Sequence, residues 1–225
     1  MNSIFALNRE TLEIIGVTLR MAFSSTAISS VLGISAGLFL EKYRFPGRRI
    51  AVRLCRTLMG TPPVVVGLVS YLLLMRNGPL GFLGLIFTVR GMIAAQVLII
   101  TPVITGMVYS YASRSAERIR AFAKTMGAQG SQTGFLLIRE MRHEIYFAVI
   151  AGFGRAISEV GSVMIVGGNI QHKTRTMTTA ITLMYNRGNF PEAITLGILL
   201  LASAFLIQML SDFFHKEPLL NEENF

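Results

Sequence analysis

Five long blocks dominated by apolar residues, at about 17–40, 57–76, 91–112, 145–167 and 192–214, constrain this 225-residue chain more than any other feature. A helix needs roughly 20 apolar residues to cross the hydrocarbon core of a bilayer. It also satisfies its own backbone hydrogen bonds, which lipid cannot do. The blocks predict an all-α integral membrane protein with about five transmembrane helices, forming a single transmembrane domain over 1–225. Only 15% of the residues are charged, too few to clothe a soluble domain of this size. A sixth apolar stretch, LGFLGLIFTV at 80–89, is too short to span and is expected at the interface or dipping in against protein. Pro62, Pro63 and Pro102 interrupt the second and third blocks. Such breaks are tolerated where neighbouring helices meet the freed carbonyls, which points to a bundle interior.

Orientation follows from the basic residues. The loop 41–56 carries Lys42, Arg44, Arg48, Arg49, Arg53 and Arg56, and the loop 113–144 carries Arg114, Arg118, Arg120, Lys124, Arg139 and Arg142. With Lys216 that makes thirteen on one side, against five on the other: Arg9, Arg90, Lys173, Arg175 and Arg187. The positive-inside rule then puts the N-terminus outside and the C-terminus inside, in a multi-pass protein of the cytoplasmic membrane. The same loops explain the net charge of +9 without a nucleic-acid partner. The opening MNSIFALNRE lacks the basic n-region of a cleaved signal peptide, so the first span is expected to be retained.

Several chemistries are missing. Cys55 is the single cysteine, so no internal disulfide forms, and His143, His172 and His215 fall in three different segments. No cluster has metal-ligand spacing. In GGNIQHKT, Lys173 follows His172 and not the glycine that a phosphate loop requires. With no nucleotide site and no nucleophile beside a base, the chain is not expected to be an enzyme. Any energy from ATP would have to enter through a partner.

The loop 113–144 is the largest soluble piece. Ile119, Phe122, Ala123 and Met126 form an apolar stripe at helical spacing. Gly127 and Gly130 break it, and FLLI at 135–138 opens a new apolar stretch. A short helix between glycine breaks would present small residues to a groove on another protein. The alternative is a basic loop resting on lipid headgroups.

The stretch AFAKTMGAQGSQTGFLLIRE (121–140) resembles the EAA loop of ABC importer permeases, in which an E-A-A-x-x-x-G helix docks on the ATPase subunit. Ala123 and Gly127 match that pattern, Ala121 and Phe122 replace its Glu and first Ala, and Arg139-Glu140 stand where many families have Leu-Pro. TPPVVVGLVSYLLL (61–74), GPLGFLGLIFT (78–88) and AAQVLIITPVITG (94–106) resemble consecutive parts of molybdate and tungstate permeases. GRAISEVGSVMIVGGNI (154–170) and TRTMTTAI (174–181) are most similar to the tungstate branch.

The resemblance implies the ABC type I importer architecture and ATPase coupling through Ala123, Gly127, Ala128 and Gly130. It implies a homodimer with two cytoplasmic ATPase subunits, which carry the ATP, and an extracytoplasmic oxyanion-binding protein. The chain itself would bind no cofactor. Because selectivity in that arrangement resides mostly in the binding protein, tungstate, molybdate and sulfate all stay open. A stand-alone secondary transporter or channel would instead show internal repeats and a coupling carboxylate. An assembly protein without transport activity is the third alternative.

The fourth block holds Arg155 and Glu159. At about 1.5 Å per residue, Arg155 would lie roughly 15 Å in from residue 145, near mid-membrane. One helical turn apart, the two side chains would share a face and pair. Either charge alone in hydrocarbon costs at least about 2.5–3.5 kcal/mol, so that face must meet protein or a water-filled cavity. The pair would pin the helix to its neighbours, or it would line the translocation path together with Ser158. Gly154, Ser158 and Gly161 would make the same surface small enough for close helix contact. Gly167, Gly168 and Asn169 are expected to end the span near an outer gate, the glycines acting as helix breakers.

Overall fold

The computed structural model describes residues 9–215, so the expectations for the first eight residues and for Lys216 lie outside that range. Among the described residues all regular structure is helical. Three helices are long and apolar enough to cross a membrane unaided: α1 (Arg9–Lys42), α4 (Val89–Thr125) and α9 (Phe190–His215), the last through its Phe190–Ser211 portion. Two further candidate crossings are bent pairs. Helices α2 (Arg48–Met59) and α3 (Pro63–Leu74) meet at 106°, and α6 (Arg142–Ser158) and α7 (Gly161–Gly167) at 57°. Counting each bent pair once gives the five expected spans. The short α5 (Gly130–Glu140) and α8 (Met177–Asn186) complete the chain.

The second span is interrupted at its prolines as expected, but its bounds differ from the 57–76 segment. It starts at Arg48, inside the stretch read as a loop, and breaks at residues 60–62. The cause is local: Gly60 ends α2, and Pro63 occupies the first turn of α3, where its missing N–H costs nothing. Pro102 has no such effect. It sits inside an unbroken α4, and α2 packs beside it with the Cys55 thiol donating to the Pro102 carbonyl at 3.3 Å. Beyond the expected end at 112, α4 continues to Thr125, so the first half of the 113–144 loop is an extension of the membrane helix. The stretch 80–89 forms only one 3-10 turn, Gly81–Leu83, and folds back so that the Phe87 N–H donates to the Val166 carbonyl at 2.9 Å.

Helices do not attract one another through hydrophobic burial once in lipid, so close packing and hydrogen bonds must hold the bundle. Both are visible. A Cβ at Gly33 would come within 2.8 Å of Ile104 Cβ, and one at Gly37 within 2.9 Å of Val108 Cβ. These contacts share one sequence offset with the Ser25–Gln96 hydrogen bond (2.6 Å), so α1 and α4 run parallel. Helix α6 runs antiparallel to both, with Gly152 against Ile100 and Ile104. The buried Gln96 joins the three: Ser25 Oγ donates to its Oε1, and its Nε2 donates to the Ala156 carbonyl at 2.8 Å. Helix α9 is attached least, with 11% of its span buried and Leu201 and Phe205 facing outward.

Candidate functional site

Two regions at opposite ends of the bundle, and a break between them, hold the residues singled out in the sequence. At the first end α4 leaves the bundle. Glu41, nearly buried in the last turn of α1, accepts a hydrogen bond from Arg120 Nη2 at 2.5 Å and ties the two helices together. The α4 helix then stops where Gly127 adopts a left-handed conformation, with φ +72°. The Gly127 N–H donates to the Lys124 carbonyl and the Ala128 N–H to the Ala123 carbonyl, satisfying carbonyls that the helix end leaves open. Helix α5 starts at Gly130 behind a capping box, in which the Gln132 side chain accepts from the Gln129 N–H at 2.8 Å.

The expected short helix between the two glycines is therefore a turn flanked by helices. Ala123 is buried and anchors that turn from within, while Gly127 and Gly130 are open on their Cβ sides. The surface presented around them is made of large apolar side chains: Phe122 is 61% exposed, Met126 73% and Phe135 69%. A stripe at helical spacing shows which residues share a face, but only packing decides which of them turn inward.

The fourth span breaks where the sequence suggested continuity. Helix α6 ends at Ser158, and Glu159 takes an extended conformation (φ −72°, ψ 131°) before α7 begins. The expected Arg155–Glu159 ion pair does not form. An i,i+4 pair needs an unbroken helix, and the break carries the Glu159 carboxyl off the α6 face. Glu159 is buried; its Oε1 accepts from the Ser162 N–H at 3.1 Å, and its backbone carbonyl accepts from Thr178 Oγ1 at 2.9 Å. Arg155 stays half-buried beside the bend, and its buried Nε has no hydrogen-bond partner. Ser158 is exposed and its hydroxyl donates back to the Gly154 carbonyl at 2.8 Å.

Of the two glycines expected in close helix contact at this bend, Gly161 packs and Gly154 does not. Gly154 faces open space, whereas Gly152 packs on α4. Gly161 lies under Val64, and a Cβ at Gly67 would come within 2.5 Å of Ser162 Cα, so α7 crosses α3 almost backbone to backbone.

At the far end α7 stops at Gly168, left-handed at φ +71°, followed by Asn169 at φ +49°. Both glycines are packed: a Cβ at Gly167 would meet Met92 Sδ at 2.7 Å and one at Gly168 the Phe87 ring at 2.7 Å. Thr174 closes the turn by donating to the Gly167 carbonyl at 2.6 Å and accepting from the Ile170 N–H at 3.0 Å. Asn169 Nδ2 donates to the Thr179 carbonyl at 3.4 Å. The residues of this turn thus connect through α8 to Glu159, while the Gly127 turn lies at the opposite end of the bundle.

One cluster was missed in the sequence. The start of α1 clamps the turn after α7: Arg175 Nη1 donates to Glu10 at 2.9 Å, Gln171 Nε2 to the same oxygen at 3.0 Å, and His172 Nδ1 lies 2.6 Å from Glu13 Oε2. These residues are separated by more than 150 positions in sequence. The available signal was charge alone, two acids at the start of the first span against two bases in the loop after the fourth block.

Comparison with known proteins accords with this architecture. A tungstate uptake system permease of Peptoclostridium acidaminophilum is 39% identical over 92% of this chain and 91% of its own length. A probable anion ABC transporter permease of Haloferax volcanii is 40% identical over 84% of each. A tungstate uptake system permease of Campylobacter jejuni is 32% identical over 75% of this chain and 71% of its own length. The family's model matches residues 29–217, a range that includes both bent helix pairs, the Gly127 turn and the Gly167–Asn169 turn. The chain belongs to the family of binding-protein-dependent transport system inner membrane components.

Proposed function

We propose that this chain is the membrane-spanning permease subunit of an ATP-driven oxyanion importer, with tungstate as its cargo. Similarity to tungstate uptake permeases along nearly the whole chain carries this reading. In it, an extracytoplasmic binding protein delivers the anion to the end formed by the outer turn, Gly167, Gly168 and Asn169. Two copies of the chain enclose the path. Two ATPase subunits dock on the Phe122–Met126–Phe135 surface around Gly127, Ala128 and Gly130. The chain supplies no catalytic residue for ATP hydrolysis, which takes place on the partner.

The geometry supports such a division of labour. Helix α4 is one rigid rod from the outer turn to the coupling turn, and Glu41–Arg120 fastens α1 to it. A displacement at Gly127 is thereby delivered to the middle of the bundle, where Gln96 holds the Ala156 carbonyl next to Arg155. Arg155 is half-buried at the bend with no ion pair among the described residues, so the exposed part of its guanidinium offers an oxyanion a charge-assisted donor.

The test is purification of the tagged permease from its native membranes. An ABC ATPase should co-purify in equal number, and the binding protein of the same system should retain tungstate in preference to molybdate and sulfate. A permease isolated without an ATPase and moving anions along an ion gradient would refute the reading.

A further inference from the structure

Helix α2 carries its basic residues to mid-span. Its Cys55 thiol donates to the Pro102 carbonyl, and Met59 lies against Gly106. Pro102 stands at the centre of the apolar block 91–112, so this part of α2 is level with the middle of a membrane helix. The start of α2 lies at the Gly127 end of the bundle, where Arg48 Nε donates to the Leu40 carbonyl at 2.6 Å. Between those levels Arg49, Arg53 and Arg56 follow at spacings of four and three, so they share one face, and all three are exposed. None of their guanidinium groups belongs to an ion pair or side-chain hydrogen bond among the described residues. No Asp or Glu occurs between Glu41 and Glu117 to neutralise them.

Hydrocarbon does not accept such a face, because charges at this depth need a partner or water. A second copy of the chain brings no partner for them. Its apolar blocks hold three acids: Glu159 is buried and bonded within its own chain, while Glu192 and Asp212 stand at the two ends of the last block. Water therefore reaches the arginines. The second bend lies alongside: a Cβ at Gly161 would come within 2.6 Å of Val64 Cγ2, so the break after α2 adjoins the break after α6. Arg56 is in the last turn of α2 and Arg155 in the last turn of α6, each about one turn short of its bend.

We propose that Arg49, Arg53 and Arg56 line the oxyanion path between the two bends and the Gly127 end of the bundle, taking the anion on from Arg155. This rests on the importer reading above. A guanidinium stays charged at any working pH, and its fork of N–H donors suits an oxyanion. From Arg49 to Arg56 the row covers about 10 Å of helix axis. Successive sites of this kind favour entry without trapping the anion, and they exclude cations. The row therefore selects the class of cargo along the exit.

Two readouts test the row. With Cys55 replaced by Ser, Arg56→Cys and Leu201→Cys are prepared as full-length permease in liposomes. Leu201, 72% exposed in the middle of the last block, is the reference for a side chain away from water. Position 56 should react with a water-soluble anionic methanethiosulfonate about tenfold faster than position 201, as a basic passage concentrates anions. Equal rates overturn the proposal, whether lipid or a second copy covers the face. The second readout is ATP-dependent tungstate accumulation with the ATPase and the binding protein. Arg53→Gln with Arg56→Gln should lower it about tenfold, and Arg53→Lys with Arg56→Lys, which keeps the charge, should restore most of it. Undiminished accumulation in the Gln variant overturns the proposal and leaves the importer reading standing. Absence of accumulation by the unaltered complex overturns the importer reading itself. The labelling comparison decides the matter even if the Gln variant does not fold.

Discussion

Arg155 and Glu159 stand one helical turn apart in sequence, yet the structure separates them: Glu159 accepts from the Ser162 N–H at 3.1 Å, and Arg155 Nε is left without a partner. The break between α6 and α7 thus gives the two residues different tasks. Glu159 caps the first turn of α7, where a carboxyl meets free N–H groups and the positive end of the helix dipole. Arg155 keeps donor capacity at the bend.

A double-mutant cycle tests that separation. For a buried pair, removing one partner costs about 3–5 kcal/mol and removing both restores much of it. Here Glu159→Gln keeps an acceptor for Ser162 and should cost about 1 kcal/mol. Arg155→Gln should fold normally and lose uptake, and the double mutant should show no coupling in stability. Thermal unfolding of the detergent-solubilised variants gives the coupling term. A rescue of folding in the double mutant would restore the ion pair and contradict the structure.

The bundle interface yields a sharper contrast. Gly152→Val drives a side chain into Ile100 and Ile104, where even a Cβ would stand 2.9 Å from Ile104 Cδ1. Overpacking of that kind costs about 1–3 kcal/mol. Gly154→Val, two residues on, faces open space within the chain and should leave the folded monomer unaffected. Equal yields of monodisperse protein for the two variants would show that the register of α6 on α4 is wrong.

The difference between these glycines shows what the sequence can and cannot disclose. Apolar block length locates a span because the bilayer sets a fixed minimum. Gly127 was legible as a helix end for a similar reason: its left-handed φ is one that few side chains tolerate. The bend at Ser158–Glu159 carries no proline and no glycine of its own, and it is held by Thr178 from another helix. Nothing local announces it. Helix α2 hid inside a basic loop because its apolar positions form a narrow stripe, which never accumulates into a block. The Glu10–Arg175 clamp needed the fold itself to bring the two together.

Docking at the coupling turn is tested at Gly127. Its φ of +72° suits glycine or asparagine, and its Cβ side is open. Other residues there pay about 1–2 kcal/mol of backbone strain. Gly127→Asn should fold and retain the ATPase. Gly127→Glu should remain inserted in the membrane and lose ATPase co-purification, since a charged side chain disrupts an apolar contact surface. Normal co-purification and uptake in Gly127→Glu would remove the docking assignment.

Topology is expected to follow the basic residues. With Cys55 replaced by Ser, Met126→Cys (73% exposed in the parent chain) and Lys173→Cys probe the two ends of the bundle. An impermeant maleimide should label position 173 in intact cells and position 126 only after the membrane is opened. The reverse pattern would invert the orientation.

Reconstituted transport bears on the central proposal most directly. Permease and ATPase are placed in proteoliposomes with ATP inside and tungstate-loaded binding protein outside, and accumulated tungstate is measured. The account predicts accumulation that requires ATP, the ATPase and the binding protein together, and that falls sharply in Arg155→Gln. Tungstate accumulation by the permease alone, driven by an ion gradient and indifferent to ATP, would contradict it.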